Sequence, residues 1–377
     1  MSRNLKVVVV MGTRPEAIKL APVVRALSAH GGFAVKVLAT AQHRSMLDQV
    51  LEVFEIEPDF DLGIMRPGQS LTDVTVRAVA GVGKVLEREK PDWVIVQGDT
   101  TTAFVSALAA YYRQIRVAHV EAGLRTEDRY SPFPEEMNRR LVSALADVHF
   151  APTPAARANL RREGIATGAI HVTGNTVIDA LKYMVASGRL ESPAVLERIP
   201  AQARVLLVTA HRRESFGAGL RSVFLALKDI VRRHADVEVV YPVHPNPNVR
   251  HAASQVLGRV ARVHLVAPLD YRQFVALMSR AYLILTDSGG IQEEAPGLGK
   301  PVLVLRDKTE RPEAIAAGTA LLVGTDRARI VRAAETLLNS KSAYARMAHA
   351  ANPFGDGRAG ERIARILARM APPARLT

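Results

Sequence analysis

The sequence predicts an α/β protein of two Rossmann-like, doubly wound domains. Three observations carry this. Short runs rich in Val, Ile and Leu alternate with longer segments of helical period. The runs are continuously apolar, as strands buried on both faces of a parallel sheet must be. The strand–helix alternation also restarts midway, so the 377 residues divide into two units.

The elements follow in order. Lys6–Val10 reads as a buried strand. Pro15–Ala29 reads as a helix with proline in its first turn and a stop at Gly31–Gly32. Ala34–Ala39 and Asp92–Val96 are the next strands, the latter followed by a helix from Thr101 to Tyr112. Arg116–Val120, Val148–Phe150 and Ile170–Val172 continue the pattern. It restarts with a strand at Arg204–Thr209 and a helix over Leu220–His234. Val237–Tyr241, Arg262–Val266, Tyr282–Leu285, Pro301–Leu305 and Ala320–Val323 are strands of this second half. Helices at Ile330–Leu338 and Arg358–Met370 close the chain. The first domain is expected over 1–175 and the second over 176–353, with the boundary between Gly174 and Gln202. The segment from about 354 to 377 is expected to pack back on the first domain. Ligands of such sheets bind beyond the carboxyl ends of the strands, so the halves are expected to face a cleft.

Composition narrows the function. The absence of cysteine removes disulfides, thiolate metal sites and cysteine nucleophiles together. The formal charge of +13 raises nucleic acid as a partner. Yet Arg outnumbers Lys roughly four to one, runs such as Arg157–Arg162 and Arg358–Arg369 keep helical spacing, and no aromatic set for stacking bases is interleaved. No nucleic acid is therefore expected. No stretch approaches a membrane span and Val7–Met11 lacks the features of a signal peptide, so no membrane association and a cytoplasmic location are expected.

The candidate residues sit just after strands. Gly12-Thr13-Arg14-Pro15-Glu16-Ala17-Ile18-Lys19 is a tight turn into a helix start, where backbone N–H groups favour anions. It is not GxGxxG, so no nicotinamide cofactor is expected. Three carboxylates, Asp99, Glu121 and Glu135, follow strands of one sheet. Two have a plain alternative: Asp99 as a helix cap, Glu135 as an i,i+4 partner of Arg139. Three together suit acid and base roles. In the second half His211 ends a strand beside Arg212 and Arg213, and His244 lies in a turn stiffened by Pro245 and Pro247. Asp287-Ser288-Gly289-Gly290 ends a strand and opens a helix, an arrangement that lets backbone approach a phosphate. Glu294 on that helix is placed to accept two ribose hydroxyls, and Arg311 adds a cation. No spacing suggests a bound metal, and none is expected.

Taken together, GTRPEAIKLAP, GDTTTA, HVEAGLRT, SPFPEEMNR, HRRES, PVHPNP and DSGGIQEEAPGLGKPVLVLRDKTERPEA resemble the non-hydrolysing UDP-N-acetylglucosamine 2-epimerase family across essentially the whole chain. The family is similar in fold to GT-B glycosyltransferases. The resemblance implies reversible conversion of UDP-GlcNAc to UDP-ManNAc, supplying surface polysaccharides. The C2 hydrogen is not acidic, so the route is elimination of UDP to 2-acetamidoglucal and re-addition. The resemblance implies Asp99, Glu121, Glu135 and His211 as catalytic residues. It implies Arg14, Lys19, Phe274, Ser288, Gly289, Gly290, Glu294 and Arg311 as UDP contacts, with Arg139 supporting the substrate site. Phe274 is placed in the loop after Val266, beside uracil. Gln42, Gln69, Glu136, Arg212 and His244 resemble positions that bind a second, activating UDP-GlcNAc. No cofactor and a homodimer are implied. The rivals are a hydrolysing epimerase, often fused to a kinase domain for which 377 residues leave no room, and a GT-B glycosyltransferase.

Overall fold

The computed structural model describes residues 4–40, 44–66 and 68–370. The chain forms two compact units, one from the residues up to Ala180 together with the segment beginning at Phe354, the other Leu181–Pro353.

The first unit runs β1 (Leu5–Met11), α1 (Arg14–His30), β2 (Phe33–Ala39), α2 (Arg44–Phe54), β3 (Phe60–Asp61), α3 (Leu71–Glu89), β4 (Trp93–Gln97), α4 (Thr101–Tyr111), β5 (Arg116–Val120), α5 (Glu135–Leu145), β6 (Val148–Ala151), α6 (Pro154–Arg162), β7 (Ile170–Val172) and α7 (Thr176–Ala186). Its seven strands lie in the order β3-β2-β1-β4-β5-β6-β7, all parallel. Val7 to Met11 and Trp93 to Gln97 are buried without a break, which is why these runs are continuously apolar up to Gln97. The division between units falls inside α7.

The second unit runs β8 (Arg204–Thr209), α8 (Ala218–Arg233), β9 (Val237–Pro242), α9 (Pro247–Leu257), β10 (Val263–Val266), α10 (Tyr271–Arg280), β11 (Leu283–Thr286), α11 (Gly289–Gly297), β12 (Val302–Val304), α12 (Pro312–Ala316), β13 (Ala320–Leu322), α13 (Arg327–Asn339) and α14 (Lys341–Ala348). Its sheet is parallel and ordered β10-β9-β8-β11-β12-β13. Counted within each unit, both orders run third, second, first, fourth, fifth, sixth, and the first unit adds its seventh strand at the end. That is the doubly wound order, with a switch point between the first and fourth strands. One core gathers Leu206, Val208, Val239, Leu285 and Leu303 with Phe224 and Leu227 of α8.

The last helix, α15 (Ala359–Arg369), belongs to the first unit. It buries Ile363, Ala364 and Leu367 and packs on α1. Gly360 allows the approach, because a Cβ there would stand 2.8 Å from the Pro22 carbonyl oxygen. Asp179 of α7 accepts the Gly360 N–H at 2.8 Å and so caps α15 from outside. Burial raises the Asp179 carboxyl to about 6.

Candidate active site

In the first unit the chemistry gathers after β1, β4 and β5. Gly12 is required by close approach: a Cβ would lie 2.4 Å from both Thr40 Oγ1 and Thr102 Oγ1. The turn delivers Arg14 to the first position of α1, half-buried and with no carboxylate partner among the described residues. One turn further, Lys19 reaches Glu121, Nζ to Oε1, at 2.5 Å.

Glu121 follows β5 with φ of 63°, in the left-handed region. A side chain there costs roughly 1–3 kcal/mol, and such strain persists where the surroundings dictate it. Here they do. The carboxylate is nearly enclosed and takes Lys19, the Gln97 amide and Asn175 Nδ2, the last at 3.1 Å. Gln97 ends β4 and Asn175 follows β7, so two strand ends and α1 fix one carboxylate.

Asp99 receives the Nε and Nη2 of Arg139 at 2.9 and 2.8 Å. Asn138 Nδ2 holds its carbonyl at 2.9 Å. It does not cap α4; Thr100 does, its Oγ1 accepting the Ala103 N–H. Beneath this turn His119 Nε2 meets the Gly98 carbonyl at 2.8 Å. Burial lowers His119 to about 3, so it is a neutral ring that donates there. Glu135 opens α5, and its Oε2 is buried with no hydrogen-bond partner among the described residues. The i,i+4 pairing of Glu135 with Arg139 is not formed, since Arg139 turns to Asp99 and Glu136.

In the second unit the switch point holds His211. Asp287, just after β11, accepts the backbone N–H of His211 and of Arg212 at 2.5 and 2.7 Å on Oδ2. Its Oδ1 lies 3.1 Å from His211 Nδ1. Burial pushes Asp287 up, but the His211 ring and these N–H groups outweigh it and hold the carboxyl below its usual range. The pairing directs His211 Nε2 away from Asp287. The His211 ring stacks on His244, centroids 5.1 Å apart and 7° from parallel. His244 Nδ1 accepts the Asn246 N–H at 3.1 Å.

Ser288 precedes α11 and makes no side-chain cap, and the first N–H groups of a helix favour an anion. Glycine at 289 and 290 leaves room: the Arg311 guanidinium stands 3.8 Å from where a Gly289 Cβ would be, and Glu294 Oε1 is 3.5 Å from that of Gly290. Arg311 is held by the buried Glu293, and Thr309 Oγ1 bonds Gln292 Oε1 at 2.6 Å while accepting the Arg311 N–H. Four expected UDP contacts, Ser288, Gly289, Gly290 and Arg311, are thus brought together with Glu294.

Some expectations change. Phe274 is not in a loop; it lies in the first turn of α10, capped by Asp270. Gln42 lies outside the described residues. The Glu136 carboxylate is fully buried, engaged with the Thr126 N–H, Arg139 and Arg140. Gln69 Oε1 takes the Arg66 N–H and Arg77. Sequence reasoning missed Asp287, Gln97 and Asn175 as supports, and Glu293 behind Arg311. The first three are marked in the sequence only as polar residues at or just after strand ends, and Glu293 only as an acid within α11.

Two doubly wound units, each with its own switch point, define the GT-B-like class. The glycotransferase of kitacinnamycin, 13% identical with a TM-score of 0.63 over 98% of this chain and 99% of its own, shares that fold. The family profile described as UDP-N-acetylglucosamine 2-epimerase matches residues 25–368. The UDP-N-acetylglucosamine 2-epimerase of Escherichia coli (strain K12) is 54% identical over 369 residues, 96% of this chain and 98% of that one. The crystal structure of the Neisseria meningitidis UDP-GlcNAc 2-epimerase, bound to UDP-GlcNAc, matches with a TM-score of 0.88 and 48% identity over 97% of this chain and 100% of its own. The chain belongs to the UDP-N-acetylglucosamine 2-epimerase family.

Among the described residues no helix is long and apolar enough to cross a membrane. Nor does any group of three or more His, Asp or Glu among them have the arrangement of a metal site.

Proposed function

We propose that the protein is a non-hydrolysing UDP-GlcNAc 2-epimerase, interconverting UDP-GlcNAc and UDP-ManNAc. The observation that carries this is the division of labour between the units: carboxylates set by Lys19, Arg139, Gln97 and Asn175 in one, and a His–Asp pair beside an anion-ready helix start in the other.

On this reading Ser288, Gly289, Gly290 and Arg311 hold the diphosphate, Glu294 the ribose, and Phe274 lies by the uracil. Arg14 and Lys19 add positive charge toward the departing UDP. Its C1–O bond breaks as a carboxylate takes the C2 proton, giving 2-acetamidoglucal. His211, oriented by Asp287, protonates or hydrogen-bonds the leaving diphosphate. Re-addition of UDP to C1, with a proton delivered to the other face of C2, completes the epimerisation. Asp99, Glu121 and Glu135 share the two proton transfers. Retained UDP distinguishes this from hydrolysis. Binding of a second UDP-GlcNAc by Arg212 and His244, a homodimer and a cytoplasmic location belong to the same proposal.

The test is incubation with UDP-GlcNAc in D2O, followed by NMR. UDP-ManNAc with deuterium at C2 and little free UDP is expected. Stoichiometric UDP with free ManNAc means hydrolysis; product without deuterium at C2 excludes the elimination route.

A further inference from the structure

Glu16 has no place in the chemistry above, yet it is buried at the centre of the first unit's switch point. It lies in the first turn of α1 and is 1% exposed. Its Oε2 accepts the Gly12 N–H at 3.1 Å, and its Oε1 accepts the Thr100 hydroxyl at 2.7 Å. Gly12 follows β1 and Thr100 follows β4. These are the paired neighbours on either side of the switch point. One carboxylate therefore joins the turn that carries Arg14 to the turn that carries Asp99.

The second unit has a counterpart at the same topological place. Asp287, after its fourth strand, accepts two N–H groups from the turn after its first. Both units close the switch point with a buried carboxylate, by unrelated local sequences. Burying a carboxylate is costly for stability, and an apolar side chain of similar volume is often as good or better there. Burial raises Glu16 to about 7, so this site is not arranged to make the charge comfortable. What the group supplies is geometry: two bonds in different directions that no apolar side chain provides.

We propose that Glu16 is a positioning residue for the reaction assigned above, a staple that sets Asp99 relative to the first turn of α1. The inference rests on that reaction. Thr100 is adjacent to Asp99 and is itself the cap of α4. Releasing its hydroxyl lets the turn relax, and a shift of about 1 Å in a reacting group costs on the order of 100-fold in rate.

The test compares full-length Glu16→Met and Glu16→Gln with the unmodified protein. Each is assayed for conversion of UDP-GlcNAc, for UDP affinity by calorimetry and for thermal unfolding. Methionine removes both acceptors at similar volume. Glutamine keeps an oxygen for the Gly12 N–H and offers its amide to the Thr100 hydroxyl. The staple predicts that Glu16→Met lowers kcat about 100-fold with UDP affinity within about threefold, while Glu16→Gln stays within about tenfold of the unmodified kcat. A folded Glu16→Met protein with kcat within about twofold overturns it, as does a Glu16→Gln protein as slow as Glu16→Met. If Glu16→Met does not fold, Thr100→Val carries the test, with Thr100→Ser as its rescue; an unchanged kcat in folded Thr100→Val overturns the staple. An unmodified protein that leaves UDP-GlcNAc unchanged overturns the reaction and, with it, the role of Glu16.

Discussion

The turns after β1 and after β8 occupy the same place in two sheets whose first six strands share one order, yet they are built differently. After β1 the chain closes tightly on Gly12 and enters a helix at once, presenting Arg14 and then Lys19. After β8 it passes His211 and an extended Arg212, makes a short 3-10 turn at Arg213–Ser215 and begins α8 only at Ala218. The fourth strands invert this. After β4 comes an acid, Asp99, locked to Arg139; after β11 comes an acid, Asp287, spent on holding His211, and then an open helix start. The doubly wound order fixes where a site stands, and the few residues after each strand decide which charges and which helix starts it presents.

The comparison can be broken at several points, and the largest effect is expected at Glu121. On the proposed mechanism Glu121→Gln leaves a shape close to native but removes one of the three carboxylates that share the proton transfers, so turnover should fall about 1,000-fold while calorimetry still detects UDP. If UDP binding disappears as well, the separation of roles between units fails. Asp287→Asn comes next. An amide nitrogen toward His211 Nδ1 imposes the wrong tautomer, and kcat should fall about 100-fold, read in the steady state. Arg311→Met should weaken UDP by about 10- to 100-fold, from the loss of roughly 1.5–3 kcal/mol of charged hydrogen bonding, with a smaller change in kcat. Gly12→Ala should cost about 1–3 kcal/mol in denaturant unfolding, because two threonine hydroxyls stand where the methyl would go.

The smallest expected effect sharpens the comparison most, because the two staples respond oppositely to pH. Glu16 is raised from 4.5 to about 7 by burial. Between those values the folded state binds more protons than the unfolded chain. Its contribution is therefore complete below pH 4.5 and is lost as pH rises through about 7. The slope is at most about 1.4 kcal/mol per pH unit. Asp287 is held below its ordinary value, so its contribution is present above that value and is lost on acidification. Urea unfolding across this range should show the neutral-pH slope removed in Glu16→Gln and kept in Asp287→Asn.

Much of the frame was legible because burial on both faces leaves an unbroken apolar run. Arg204–Thr209 and Ile170–Val172 were read as they stand. Strands such as Trp93–Gln97 shifted by one residue, since Asp92 turns its carboxylate to the Lys6 N–H instead of continuing the strand. The two-residue β3 carries too short a pattern to be seen. In the candidate site, a strand-to-helix turn was legible where glycines mark it, as at Ser288-Gly289-Gly290. Supports were not. Asn175 was read as part of a domain boundary, and it reaches Glu121, 54 positions away, only through the sheet. Glu16 is, in sequence, one acid in the first turn of a helix, and nothing local says that Thr100, 84 residues later, completes it.

The return of α15 to α1 has a consequence for how the protein is made. The second unit is, in chain order, an insertion within the first. As the ribosome proceeds from the N-terminus, the face of α1 that receives Ile363, Ala364 and Leu367 stays uncovered until the whole of the second unit has been synthesised. The earlier-made unit is thus the later one to be finished. A nonsense mutation near codon 355 would spare the unit encoded just before it and damage the one encoded first.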